Sequence, residues 1–394
     1  TNEITEILKK YTDHTKKIRL KFVDPNKNPG FTKQYTKDSE NLSLGSLIVE
    51  SGKRFKVIPA SNLYNFDYSN PYQPSVTSLA VEQCVTGAIM FVKSGKMPVI
   101  YSLEGHGEER LPFEIIKQLE TENYELKSVN LYTSEMPEDI DILLINSPQR
   151  DLTVSEVEKI RNFLSNNGRA IILIDLLTGD LPNLQSLLRS YGIALQRMAL
   201  VEGDSNHYIQ NNPLWIQPDP GTHQIVDSLV SDKMPVIMPV AQGIEVLDVK
   251  KRSLNITPLL TTSASAWGKT DLNTTSLEKT KDAPQGPFNI AVAVTDQTPG
   301  EETAESKIVV VGNAMFLASE LINSIPGNAN FLINSFGWLQ DQKVNLSIKP
   351  KSLLTLRLNI NFFQTLVLSG VVVILIPLGV LSAGLIVWLR RRHL

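Results

Sequence analysis

Glu104, Gly105, His106, Gly107, Glu108 and Glu109 form the stretch of the chain best equipped for chemistry. An imidazole stands two residues from a carboxylate on either side, and a glycine flanks it in each direction. An imidazole among carboxylates can move a proton or help hold a ligand. The two glycines permit a backbone approach that larger residues would hinder. The run follows the apolar strand expected over 99–103, so it lies past a strand's carboxyl end, where doubly wound sheets place ligands. Two readings follow. In one, Glu104, Gly105, His106, Gly107 and Glu108 form a ligand or partner surface. In the other they form a tight strand-to-helix turn, with the His and Glu side chains fixing the loop and capping the helix. One histidine with scattered carboxylates falls short of a metal-ligand set, so no metal and no cofactor is expected.

Other residues offer less. Cys84 lies in a helix-like run over 79–92, ahead of the first sheet strand rather than on a strand-to-helix elbow, so it reads as structural. As the single cysteine, it excludes an intramolecular disulfide framework and any multi-cysteine metal site. Asp175 follows a strand but has no evident partner in sequence. His14, His207, His223 and His393 are scattered. There is no Gly-x-Ser-x-Gly elbow, P-loop, His-Glu-x-x-His or dinucleotide fingerprint. No catalytic residue is assigned. An anchored hydrolase acting on surface polymers would have to use His106 with Glu104, Glu108 or Asp175.

The elements that would position these residues alternate. Residues 4–11 carry a helical apolar spacing, 18–23 alternate as a strand, and 46–50 with 54–58 read as a hairpin. Residues 64–74, rich in Asn, Pro, Tyr and Ser, read as a linker. A helix over 76–93 opens a second unit. Strands over 99–103, 125–131, 141–145 and 170–174 alternate with helices over 112–120, 153–165 and 184–191. Thr153 and Glu156 have capping-box spacing, and Gly168 and Gly192 close helices. Near-continuous apolar strands separated by helices predict a parallel sheet covered on both faces. From 195 to 305 the alternation weakens, with strands over 236–240, 256–262 and 288–294 and a mobile loop over 269–287. A strand over 307–311, a helix over 328–339 and a last strand over 344–348 complete the domain.

The C-terminus is of another kind. No charged residue occurs from 358 to 389, and Arg390, Arg391 and Arg392 follow at once. About 20 apolar residues suffice to cross a bilayer as a helix. The expected transmembrane helix spans 362–389, with Trp388 as an interfacial anchor and the arginines holding 390–394 in the cytoplasm. Gly379 and Ala383 form a small-xxx-small pair suited to close helix packing. The remainder would lie outside the membrane, and export implies a signal or membrane segment ahead of Thr1. The expected domains are an α/β module and linker (1–75), an extracytoplasmic body (76–349), a juxtamembrane segment (350–361), the span and the tail. A net charge of -3 without a basic tract argues against nucleic acid as a partner.

Several of these stretches together resemble the GldG-type auxiliary subunits of bacterial ABC transport systems. The matching residues are Phe22, Val23, Asp24 and Pro25 with Asn28 and Pro29; the run from Glu104 to Glu108; and Met136, Pro137, Glu138 and Asp139 ahead of 141–145. Further matches are Val309 to Asn313, Gly327 and Asn328 through Gly337, Trp338 and Leu339, and Pro377 through Arg392. The resemblance implies a Rossmann-like extracytoplasmic domain, similar to one in intraflagellar-transport proteins and distantly to amidotransferase-like folds. It implies a non-enzymatic accessory or substrate-binding subunit, held in the bilayer and working with a permease and a cytoplasmic ATPase on an extracellular substrate. The Cys-His-Glu machinery of true amidotransferases is absent, and so is the family's N-terminal helix. A surface scaffold that binds nothing is a further alternative.

Overall fold

The computed structural model describes residues 2–25, 27–28, 30–31, 34–35, 42–67, 75–94, 97–176, 179–297, 305–341, 351–352, 373 and 376–392. Two compact units result: Thr1–Leu63 with Ala80–Pro350, and Tyr64–Leu79 with Lys351–Leu394.

The first unit opens with α1 (Asn2–His14) and the antiparallel hairpin of β1 (Leu47–Ser51) and β2 (Arg54–Ile58), turned at Gly52. The chain then runs through β3 (Tyr64–Asp67) and β4 (Ser75–Leu79), which belong to the second unit, into α2 (Val81–Ser94). The Tyr11 hydroxyl joins α1 to α2 through Thr86 Oγ1 at 2.7 Å and the Glu82 carbonyl at 3.1 Å. The strand expected over 18–23 does not form. No described strand pairs with it, and Phe22 is exposed. The helix expected from 76 begins at Val81, because β-branched Val76 and Thr77 lie in β4, whose residues pair with β3.

Then comes the α/β run: β5 (Val99–Leu103), α3 (Phe113–Thr121), β6 (Glu125–Val129), β7 (Ile142–Asn146), α4 (Val154–Ser165), β8 (Arg169–Leu173) and α5 (Pro182–Ser190). β9 (Ile193–Val201) follows, with two-residue strands β10 (Trp215–Ile216) and β11 (Asp219–Pro220), α6 (Gln224–Ser231) and β12 (Met238–Pro239). β13 (Gln242–Val246), β14 (Leu254–Thr261), β15 (Trp267–Lys269), β16 (Asn289–Gln297) and β17 (Glu305–Val311) lead to α7 (Ser319–Ser324) and α8 (Pro326–Leu339).

Among the described residues, one sheet of eleven strands runs β15-β9-β13-β16-β17-β8-β7-β5-β6, with β14 beside β16 and β11 beside β14. Pairing from β17 through β8, β7 and β5 to β6 is parallel. The other pairs in this sheet are antiparallel. The expected parallel sheet is therefore one half of a mixed sheet. The antiparallel half follows from hairpin-like returns, such as β16 to β17, which need no crossover helix.

Alternating residues feed two cores. Ile100, Leu144, Ile171 and Val309 meet Ile115 of α3 and Phe331 and Phe336 of α8. Leu143, Ile145, Ile172 and Val310 meet Ile160 and Leu164 of α4 and Leu187 of α5 on the other side. Burying each such side chain contributes about 1.5–3 kcal/mol, which makes these two faces the main source of stability. Thr153 and Glu156 form the expected capping box at the start of α4. At its end the positive φ of 62° falls on Asn167, not Gly168. Gly168 instead donates to the Phe163 carbonyl at 3.1 Å, and a Cβ there would lie 2.4 Å from that oxygen.

In the second unit β4 pairs with β3 and with β18 (Lys351–Ser352), and α9 covers Ile376–Arg392. Residues 64–67 of the expected linker are thus strand, while 68–74 and the expected strand over 344–348 lie outside the described residues. The expected span over 362–389 is described only at 373 and from Ile376, and the helix continues through the three arginines. Among the described residues, no helix is long and apolar enough to cross a membrane.

Candidate functional site at the carboxyl ends of the parallel strands

β5 delivers the Glu104–Glu109 run to the sheet's carboxyl edge. The Glu104 N–H still donates to the Val129 carbonyl at 2.9 Å, after which the chain turns through Gly105 at φ +128° and Gly107 at φ +80°. These angles suit glycine, and together they turn the His106 ring inward. His106 is only 7% exposed. Its Nδ1 lies 3.1 Å from Glu108 Oε1 and its Nε2 lies 3.2 Å from Glu156 Oε2. Its backbone N–H donates to Glu108 Oε2 at 2.8 Å. Glu156 is fully buried, and the same Oε2 accepts from Thr153 N and Oγ1 at 2.8 and 2.7 Å. The carboxylate that caps α4 therefore also braces the loop after β5.

Both ring nitrogens face carboxylate oxygens, so the ring is held from both sides. While those contacts hold, His106 cannot also act as a base toward a substrate. Backbone groups pin the loop from the β7 side. The His106 carbonyl accepts from Gln149 and Arg150 N–H groups at 2.9 and 3.0 Å, and Arg150 Nη2 donates to the Gly105 carbonyl at 3.1 Å. The expected five-residue surface divides. Glu104, Gly105 and Gly107 are exposed, while the His106 and Glu108 side chains turn inward.

Asp175 does have partners. Oδ2 accepts from Ser147 Oγ at 2.7 Å, and Oδ1 accepts from the Ala314 and Met315 N–H groups at 2.6 and 3.1 Å. It ties the ends of β7 and β8 to the turn after β17. Burial, with the nearby Asp175 charge, raises the Glu109 carboxyl above its ordinary value. Cys84 is buried in α2, with Sγ 3.3 Å from the Asn62 carbonyl. Burial is the main cause that pushes its thiol up to about 11, so it is a poor nucleophile. Among the described residues, no group of three or more His, Cys, Asp or Glu side chains could hold a metal.

Sequence reasoning missed Glu156 as a partner of His106. Its capping-box spacing was visible, but the second contact spans 50 positions and leaves no local signal. Ser147 was missed too. It sits at φ +52°, with its N–H donating to the Leu173 carbonyl at 2.8 Å. The remaining unexpected feature is apolar. Phe113, Tyr132, Val154 and Met315 are 74%, 73%, 66% and 46% exposed. Each follows the carboxyl end of a strand in the parallel half, so topology brings all four to the same edge as Glu104 and Glu109.

On α9, Gly379 and Ala383 are both exposed and stand one turn apart, with nothing within 4 Å of a Cβ built on Gly379. Leu381, Leu385, Ile386, Val387 and Trp388 are exposed as well. The Arg392 guanidinium lies 5.3 Å from the centre of the Trp388 ring, and Arg390 and Arg391 share that last turn.

No curated protein matches the chain. Among solved structures, the chain is similar to the mmIFT52 N-terminal domain, at 13% identity and a TM-score of 0.44, covering 62% of this chain and 97% of that one. It is also similar to the exo-beta-1,4-mannosidase Op5Man5 from Opitutaceae bacterium strain TAV5, at 10% identity and a TM-score of 0.32, covering 66% and 39% of the two chains. PurLQS from Thermotoga maritima matches at 11% identity and a TM-score of 0.30, covering 62% of this chain and 100% of that one. These likenesses carry no functional argument. A family model described as an ABC-type uncharacterized transport system matches residues 97–335, the greater part of the chain, from β5 into α8. The chain therefore belongs to that family of ABC transport auxiliary proteins.

Proposed function

We propose that this protein is a non-enzymatic, membrane-anchored extracytoplasmic accessory subunit of GldG type, working with a separate permease and ATPase. The observation that carries the reading is the family match over 97–335. The uncharged run from 358 to 389 with Arg390, Arg391 and Arg392 supports anchorage in a bilayer with the tail inside. The exposed apolar side chains of α9 would be covered by lipid or, around Gly379 and Ala383, by a permease helix. The 394 residues contain no P-loop, so ATP hydrolysis falls to another chain. At the other contact, exposed aromatic and apolar side chains beside Glu104 and Glu109 suit a partner surface with an apolar centre and basic rim. The inward-facing His106 supports a structural role for the loop core, with the partner reading resting on Glu104 and the rim.

Removing residues 358–394 is expected to release the outer domain from membranes and abolish co-purification with the permease and ATPase. Unchanged co-purification would refute coupling through this helix.

A further inference from the structure

A concavity lies away from the carboxyl edge, on the antiparallel half of the sheet. It is a cleft of about 520 Å³, within the range of small-molecule sites. Register builds its floor. Asn255 of β14 faces Thr295 of β16, and Thr295 faces Lys307 of β17; one step along, Thr257 faces Ala293. Gln297, two residues beyond Thr295, continues the same face. Neighbouring strands stand about 4.8 Å apart and same-face residues about 7 Å apart, so polar side chains form a grid. Gln224, at the start of α6, and Ser253 add to the rim. Among the described residues, none of these six neutral side chains makes a hydrogen bond, so their donors and acceptors are open to a ligand.

The charges are largely matched. Lys307 Nζ pairs with Glu305 at 3.1 Å and with Asp341, and it lies 5.1 Å from the centre of the Trp338 ring. That leaves the Trp338 ring as an apolar wall and not a free stacking face. His223 accepts the Ile225 N–H on Nδ1 at 3.2 Å, so its remaining proton is on Nε2, a neutral donor. Arg252, at the exposed rim, is the one lining cation without an ion-pair partner among the described residues. A solvent-exposed rim ion pair adds little, whereas several neutral hydrogen bonds are on offer here.

We infer that this cleft binds a neutral, hydroxyl-rich ligand, a short saccharide, through the Asn255, Thr257, Thr295 and Gln297 side chains. Hydroxyls both donate and accept, which matches side chains that do the same and a floor without spare charge. The cleft's chemistry stands independently of the transport role.

Saturation-transfer NMR and calorimetry on the full chain, held in a detergent without a sugar headgroup, test it. The neutral probes are glucose, N-acetylglucosamine and cellobiose; the charged probes are glucuronate, glucose 6-phosphate and inorganic phosphate. At least one neutral probe is expected to bind. The double variant Thr257→Val with Thr295→Val should weaken it about tenfold, the equivalent of two modest hydrogen bonds, with an unchanged unfolding midpoint. Arg252→Gln should leave it unaltered. Should the double variant fail to fold, Asn255→Ala with Gln297→Ala at exposed strand positions replaces it. Three results overturn the inference: no transfer from any neutral probe at millimolar concentrations, neutral binding that survives the folded floor variant, or binding confined to charged probes and lost in Arg252→Gln.

Discussion

Removing the His106 ring would leave Glu156 fully buried with only Thr153 for company, and Glu156 Oε1 already has no hydrogen-bond partner. Leaving a buried acceptor without its partner costs about 1–3 kcal/mol. His106→Ala should lower the urea-unfolding free energy by about that much, whereas a loop-surface histidine would cost under about 0.5 kcal/mol. His223 carries the pH prediction. Burial depresses its imidazole, with Lys307 acting the same way and Asp227 opposing; Arg252 and Glu305 share its cleft. An unfolded histidine titrates near about 6.5, so the unfolded chain takes up the proton first as pH falls. The contribution is fully present above that value and is lost as pH falls through the depressed folded value. Stability measured by urea unfolding should therefore drop over this window. The drop should be shallower in His223→Asn, whose side-chain oxygen can still cap α6.

At the scale of elements, legibility tracked how local the signal was. β5, β7, β8, α4 and β17 stand close to where apolar runs and caps put them, because each is specified by its own residues. The capping box at Thr153 and Glu156 is such a case. The antiparallel half was harder to read. β9 is interrupted by Arg197 at φ +47°, and β10, β11 and β12 are two residues each, too short for any periodicity. Likewise, 18–23 alternates as a strand should, but alternation alone supplies no partner. The end of α4 separates two glycine roles that sequence merges. Asn167 takes the left-handed conformation, while Gly168 is needed for its missing Cβ. Gly168→Ala should cost about 1–3 kcal/mol through overpacking on the Phe163 carbonyl. Asn167→Gly should be neutral to within a few tenths of a kcal/mol, since both residues tolerate that conformation. Equal losses in the two variants, measured by chemical denaturation, would contradict this division.

At the scale of the molecule, the weakening of the α/β pattern near 195 invites a boundary that the sheet does not respect. β17 pairs in parallel with β8 along Lys307–Arg169 to Val311–Leu173, while its other edge pairs antiparallel with β16. The late strand is thus the joint between the two halves, and long-range pairing of this kind leaves little trace in a single sequence. Side chains reinforce the joint. Asp175 accepts from the N–H groups after β17, and Gln242 Nε2 donates to the Ile174 and Asp175 carbonyls at 3.0 Å each. The helix that covers one face of the parallel strands, α8, also comes after β17 and supplies Phe331 and Phe336 to their core. A fragment of residues 97–192 would keep β5 through β8 and α3 yet expose the edge of β8 and remove the α8 side chains from one core face. Its loss would be several buried side chains at about 1.5–3 kcal/mol each, comparable to the whole stability of an ordinary domain. The fragment should therefore show a collapsed amide NMR spectrum, while the chain that retains 305–341 should show a dispersed one. A dispersed spectrum from residues 97–192 alone would mean that the parallel half is autonomous and that β17 joins it without being required.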